Sequence, residues 1–77
     1  MAIDYAALLT DEQKRGILNN RIAQFAAEAY QHTLNKQTCE SLGDTEGVEA
    51  ADKALTILEA AITTHQAELS AVPATEE

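Results

Sequence analysis

The 77-residue chain contains no tryptophan, one phenylalanine, two tyrosines, one cysteine, one proline and three glycines. With so few aromatic rings, its core must be built from leucine, isoleucine, valine and much alanine, a composition typical of helical proteins. A single cysteine excludes an internal disulfide, and three scattered glycines exclude the glycine-rich loops that bind nucleotide phosphates. A small helical domain without a phosphate-binding loop fits these absences.

Long hydrophobic runs are also missing, since none approaches the roughly 20 residues that span a bilayer. The first residues, MAIDY, do not resemble the charged start of a signal peptide. A lone cysteine, Cys39, is typical of a reducing compartment. We therefore expect a cytoplasmic protein.

Basic residues are few and unevenly placed in a chain of net charge -8. Residues 1–36 are neutral, whereas residues 37–77 carry nine acidic side chains and one lysine. The second half would repel long polyanions, so duplex nucleic acid is excluded as a partner. Three of the five basic residues, Lys14, Arg15 and Arg21, lie close together near the N-terminus, where a small anion could still bind.

Two long helices are predicted, at about 11–36 and 45–71. Thr10 and Gln13 form a capping box at the start of the first helix, and Asp44 or Thr45 caps the second. Between them QTCESLGDT, residues 37–45, is small and polar and contains Gly43, which indicates a connector. Pro73 opens an acidic tail, 73–77.

Both predicted helices carry apolar seams with alternating spacings of 3 and 4. The first seam is Leu18, Ile22, Phe25, Ala29 and His32; the second is Val48, Ala51, Leu55, Leu58, Ile62, His65, Leu69 and Val72. Two such helices joined by a short connector predict an antiparallel hairpin. A third, brief helix at about 4–9 should fold across the open end and bury Ile3, Leu8 and Leu9. The expected fold class is all-α.

Each long helix has a second apolar flank beside its seam. These flanks are Ala23, Ala27, Tyr30 and Leu34 in the first helix, and Ala50, Ala54, Ile57 and Ala61 in the second. One partner helix cannot cover both surfaces, so further helices must come from other subunits. We predict a homo-oligomeric helical bundle, for which a four-helix dimer and a higher ring both remain open.

No arrangement of residues predicts an enzyme or a metal site. A turn centred near residue 41 or 42 would place His65 opposite Leu18, leaving His32 roughly 20 Å away. The two histidines are then structural, with an intersubunit role as the alternative. Cys39 has no local signature that places a base beside it. We expect no catalytic residues, no metal and no cofactor.

The basic cluster is the best candidate for a ligand site. Lys14, Arg15 and Arg21, with a stacking ring from Tyr5, could hold a nucleotide phosphate and base at a subunit boundary. Gly16, which costs about 1 kcal/mol in a helix interior, suggests a close approach by another chain or a ligand. The alternative is that Lys14 and Arg15 are solvated charges while Arg21 pairs with Glu28 or a neighbouring acidic helix.

A short N-terminal helix followed by Leu-Thr-x-Glu-x-Lys, here from Leu9 to Lys14, and then a long hairpin resembles the small phage sponge proteins of the anti-CBASS and anti-Thoeris hairpin group. The resemblance implies an oligomer in the host cytoplasm that sequesters cyclic nucleotide or ADP-ribose-type immune signals without cleaving them. It places the pocket at the N-terminal segment and the start of the first long helix, and only Lys14 and its surroundings match. The chain resembles small helical proteins of actinobacterial phages about equally.

Two functions therefore follow from the sequence. The first is a phage-type, anti-defence protein that oligomerises and sequesters a small anionic, nucleotide-type signal. The second is a structural or adaptor module whose apolar flank binds a phage or host protein.

Overall fold

The computed structural model describes residues 3–73, which form an all-helical hairpin without a strand. A short 3-10 helix, Tyr5–Leu8, precedes two α-helices, α1 (Asp11–Leu42) and α2 (Thr45–Ala71). The Cα atoms span 53 Å along the longest axis and 14 Å along the shortest, so the hairpin is a single layer of helices. No helix in the described range is long and apolar enough to cross a membrane. These elements confirm the predicted all-α hairpin.

A capping box starts α1, as the sequence predicts. The Thr10 hydroxyl accepts a hydrogen bond from the Gln13 amide at 3.0 Å, and the Gln13 side-chain oxygen accepts one from the Thr10 amide at 2.9 Å. Asp11 and Glu12 follow in the first turn, where the positive end of the helix dipole stabilises carboxylates. The start of α1 is therefore determined by local sequence.

The turn between the helices consists of Gly43 and Asp44 alone. Gly43 adopts a left-handed conformation with φ of 72°, and the Asp44 amide donates to the Cys39 carbonyl at 2.9 Å, as in a Schellman motif. Asp44 then caps α2, its carboxylate accepting from the Gly47 amide at 3.0 Å. The sequence predicts a connector over residues 37–45, which is wrong for residues 37–42, since these continue α1. Small polar residues weaken a helix by only tenths of a kcal/mol each and therefore do not end it.

The later turn changes the register between the helices. Arg21 contacts His65 and Lys36 contacts Asp52, whereas the sequence placed His65 opposite Leu18. Moving a turn by two residues shifts the opposing positions by about four, close to one helical turn. His65 therefore packs one turn further along α1 than predicted.

Both predicted seams face the partner helix, and all their residues are buried or half-buried. Only Ala51, at 5% exposure, and Leu58, at 8%, are buried among the described hydrophobic residues, and neither is fully buried. A fully buried leucine contributes about 2 kcal/mol. The core of one hairpin is consequently thin.

The N-terminal segment does not cover the open end as predicted. Ile3 and Leu8 are 62% and 71% exposed, and only Leu9 is half-buried. The reason is length, because a four-residue 3-10 helix, Tyr5–Leu8, can direct few side chains towards the hairpin. Of the predicted acidic tail, residues 74–77 lie outside the described residues.

An ion pair between Lys36 and Asp52 joins the two long helices on the side of the turn. The Lys36 ammonium lies 2.8 Å from the Asp52 carboxylate, and both side chains are partly exposed. The hydrogen bond and the negative charge of Asp52 raise the pKa of Lys36 above its ordinary value. The pair supports the register of the hairpin, although its exposure to solvent weakens it.

Gly47→Ala should destabilise the hairpin although alanine favours helices. Its Cβ would collide with the Cys39 sulfur and lie 2.7 Å from an oxygen of the capping Asp44 carboxylate, and a disturbed N-cap costs about 1 kcal/mol. The matched control is Gly16→Ala, where nothing lies within 4 Å of the added Cβ and a gain of about 1 kcal/mol is expected. Urea unfolding followed by circular dichroism measures both. A stabilised Gly47→Ala variant would contradict the packing at the turn.

The Lys36–Asp52 pair should make stability depend on alkaline pH. A lysine whose pKa is raised in the folded state stabilises the fold below its unfolded pKa, about 10.5, and loses that contribution as pH rises through the folded value. The urea midpoint of wild type should therefore exceed that of Asp52→Asn at neutral pH, and the two should converge above the lysine pKa. A difference that persisted at high pH would have another cause.

Candidate functional site

The open end of the hairpin contains a cavity of about 260 Å³. Its walls come from the N-terminal segment, the first turns of α1 and the last turns of α2. Most of them are apolar, and Lys14 and Glu68 are the charged members. The lining residues are Ala6, Leu9, Lys14, Ile17, Leu18, Glu68 and Val72.

This cavity can hold an apolar body with one charged group. The Lys14 ammonium would attract a single anionic group, and apolar walls strengthen such an attraction by excluding water. Glu68 would repel a second negative charge placed nearby. Among the residues that line the cavity, none are positioned as a nucleophile and a base.

Arg21 belongs to a cluster that joins the two helices. Its Nε donates a hydrogen bond to Nε2 of His65 at 2.9 Å, and its guanidinium carbon lies 5.2 Å from the centre of the Phe25 ring. Phe25 and His65 also meet edge to face, with ring centres 4.9 Å apart. Because it contacts α2 in this way, Arg21 does not line the cavity that contains Lys14.

The contacts of His65 determine where its ring proton lies. Nε2 accepts from an arginine, which only donates. Nδ1 lies 2.7 Å from the Ala61 carbonyl, which only accepts. The neutral ring with its proton on Nδ1 satisfies both contacts. This is the structural role predicted for His65, and no three histidine, cysteine, aspartate or glutamate side chains within residues 3–73 are grouped to hold a metal.

Arg15 and Tyr5 also lie apart from the cavity lining. The Arg15 guanidinium donates to the Pro73 carbonyl, which connects the start of α1 to the second residue after the end of α2. Tyr5 is 72% exposed on the short 3-10 helix. Of the four predicted site residues, the structure thus brings only Lys14 to the cavity.

Cys39 lies at the opposite end, beside the turn. Burial raises the pKa of its thiol, and the nearby Asp44 carboxylate adds to this effect. A raised pKa leaves little reactive thiolate at neutral pH. Cys39 therefore packs against the turn without the activation that a nucleophile requires.

A second candidate surface is the outer flank of α1. Tyr30 is 64% exposed and Leu34 43% exposed, and the alanines at 23 and 27 are exposed as well. On α2, Ile57 is 70% exposed. The predicted flank of α1 is therefore uncovered in the single chain, whereas Ala54 and Ala61 of the predicted α2 flank are half-buried.

Sequence reasoning missed Glu68 and Val72 as neighbours of Lys14. The predicted pocket drew only on the N-terminal segment and the first turns of α1, so the opposing end of α2 was left out, although the predicted register already set residue 69 opposite Lys14. The turn itself had a usable signal, since Gly43 suits a left-handed helix end and Asp44, a good N-cap, directly follows it. With the turn placed there, residue 73 lies opposite Lys14, which brings Val72 beside it.

Comparison of the chain with protein-family models, with curated proteins and with solved structures gave no match.

Proposed function

We propose that this chain is a non-enzymatic helical module that works by helix–helix association, first with copies of itself. The exposed apolar flank carries this proposal. Tyr30 and Leu34 of α1 are 64% and 43% exposed, although large apolar side chains arranged along one helical face are usually covered in a functional assembly.

The thin core supports the same conclusion. The two buried side chains of the described residues, Ala51 and Leu58, supply little of the hydrophobic free energy that must offset the entropy of ordering the chain. Domains of this size usually need an additional source of stability. Association through the flank would supply it, because each further helix removes apolar surface from water.

An adaptor role uses the same surface with a different partner. The apolar flank is compatible with an amphipathic helix of a phage or host protein, which would lay its own apolar face against α1. We favour self-association over the adaptor role because it would supply the stability that the thin core of a single hairpin lacks.

The melting temperature should rise with protein concentration, because association stabilises the folded chain by mass action. Circular dichroism melts over about a hundredfold range of concentration, with sedimentation velocity at each concentration, measure the effect. A melting temperature independent of concentration, together with a monomer throughout, would contradict self-association.

A second candidate function is sequestration of a small anionic ligand, favoured by the position of Lys14 at an apolar cavity. Apolar walls suit the base of a nucleotide, and Lys14 suits one phosphate. The volume of about 260 Å³ is slightly below the usual range for ligand pockets, which fits a pocket completed by a second subunit. A cyclic nucleotide or an ADP-ribose derivative would then be held without being cleaved.

Charge reversal at Lys14 should abolish such binding. The control is Lys53→Glu, which makes the same change in net charge on an exposed part of α2. Native mass spectrometry of both variants and wild type, offered cyclic dinucleotides, cyclic trinucleotides and ADP-ribose derivatives, measures occupancy. Loss in Lys14→Glu alone is the expected result, and equal binding by all three proteins would remove Lys14 from the site.

A further inference from the structure

The uncovered flank of α1 is a second complete seam. Positions along it repeat with spacings of 4, 3, 4, 3, 4, 3 and 4, which is the heptad pattern of a helix that packs against another helix. All of its residues are exposed in the single chain. They are Gly16, Asn20, Ala23, Ala27, Tyr30, Leu34, Gln37 and Ser41.

Charge is absent from this outer seam. Between Gly16 and Ser41 the charged residues are Arg21, Glu28, Lys36 and Glu40. At about 100° per residue, each lies more than 100° from the middle of the seam. A partner helix can therefore cover the outer seam without burying an unpaired charge, which would be costly.

We propose that the outer seam of α1 binds the same seam of a second copy, with the two α1 helices antiparallel about a two-fold axis. This inference rests on the proposed function and names its interface. The axis passes between Glu28 and Ala29, so residues equidistant from that point face each other. The contact is isologous, as in most closed dimers.

The pairs generated by this axis are complementary in size. Small residues oppose large ones in the centre, with Ala27 facing Tyr30 and Ala23 facing Leu34, so that large side chains fit beside small ones. Further out, Asn20 faces Gln37, and Gly16 faces Ser41. The polar pairs lie at the ends, where water remains available to them.

The charge of the two helices also favours α1 over α2 as the helix that pairs with its copy in the dimer. The eight charged residues of α1 cancel, whereas α2 carries five carboxylates and one lysine. Pairing two α2 helices would bring together two acidic surfaces, because each has a net charge of -4. The acidic helices are kept apart when α1 forms the centre of the dimer.

Disulfide formation between single-cysteine chains tests the arrangement. In a Cys39→Ser background, Ala23→Cys and Leu34→Cys chains are mixed and oxidised. The mixed disulfide should form roughly tenfold faster than either homodimer, because two copies of residue 23 would lie about 16 Å apart along the helices. The matched control pair, Gln24→Cys with Asn35→Cys, is exposed and rotated by about 100° from the seam.

Sedimentation of two further variants gives an independent result. Ala27→Glu places a charge in the seam and should convert the dimer to a monomer that keeps its helicity at low temperature, since Ala27 is exposed in the hairpin, but melts at a lower temperature because association no longer stabilises it. Gln24→Glu adds the same charge beside the seam and should leave the dimer intact.

Three other results of these experiments would contradict the proposed dimer. A fast homodimer of Ala23→Cys would mean that the helices are parallel, which contradicts the proposed axis. An oligomeric wild type whose seam pair reacts no faster than the control pair would place the interface elsewhere and leave the proposed function standing. A monomeric wild type at every concentration would overturn both.

Discussion

The left-handed turn at Gly43 determines which residues of this molecule meet. Two antiparallel helices can slide past one another by a helical turn and still bury apolar seams, because the 3-and-4 spacing repeats along each of them. The residue at which α1 ends determines the register of α1 against α2. Gly43 ends α1, Asp44 begins α2, and the contacts of Arg21, Lys36 and the cavity at the open end all follow from that position.

The sequence predicted correctly those features of the fold that depend on residues close together in the chain. The capping box at Thr10 and the seams of both helices were read correctly, since each depends on spacing within one helix. The turn was not, because the polar residues before Gly43 look like a connector but remain helical. The predicted cover of the open end also failed, since propensity alone does not determine whether a short segment packs.

In the candidate site, too, the residue identified from local sequence was predicted correctly and the tertiary contacts were not. Lys14 was identified from local composition, and it lines the cavity. Arg21 was grouped with it by helical spacing, yet it binds His65 on α2, a contact that depends on the register and therefore on the turn. Glu68 lies far away in sequence and carries no local signal of its own. The contact of Arg21 with His65 could be found only after the turn was located correctly.

The 14 Å thickness of the hairpin has a consequence for its local motions. In a single layer held together at one end by a two-residue turn, each pair of opposing residues is supported mainly by the pairs between it and the turn. Protection of backbone amides from exchange should therefore decline with distance from Gly43, as in proteins that open in cooperative segments. The cavity with Lys14 and Val72 lies at the far end, where the hydrogen bond from Arg15 to the Pro73 carbonyl opposes separation of the two helices.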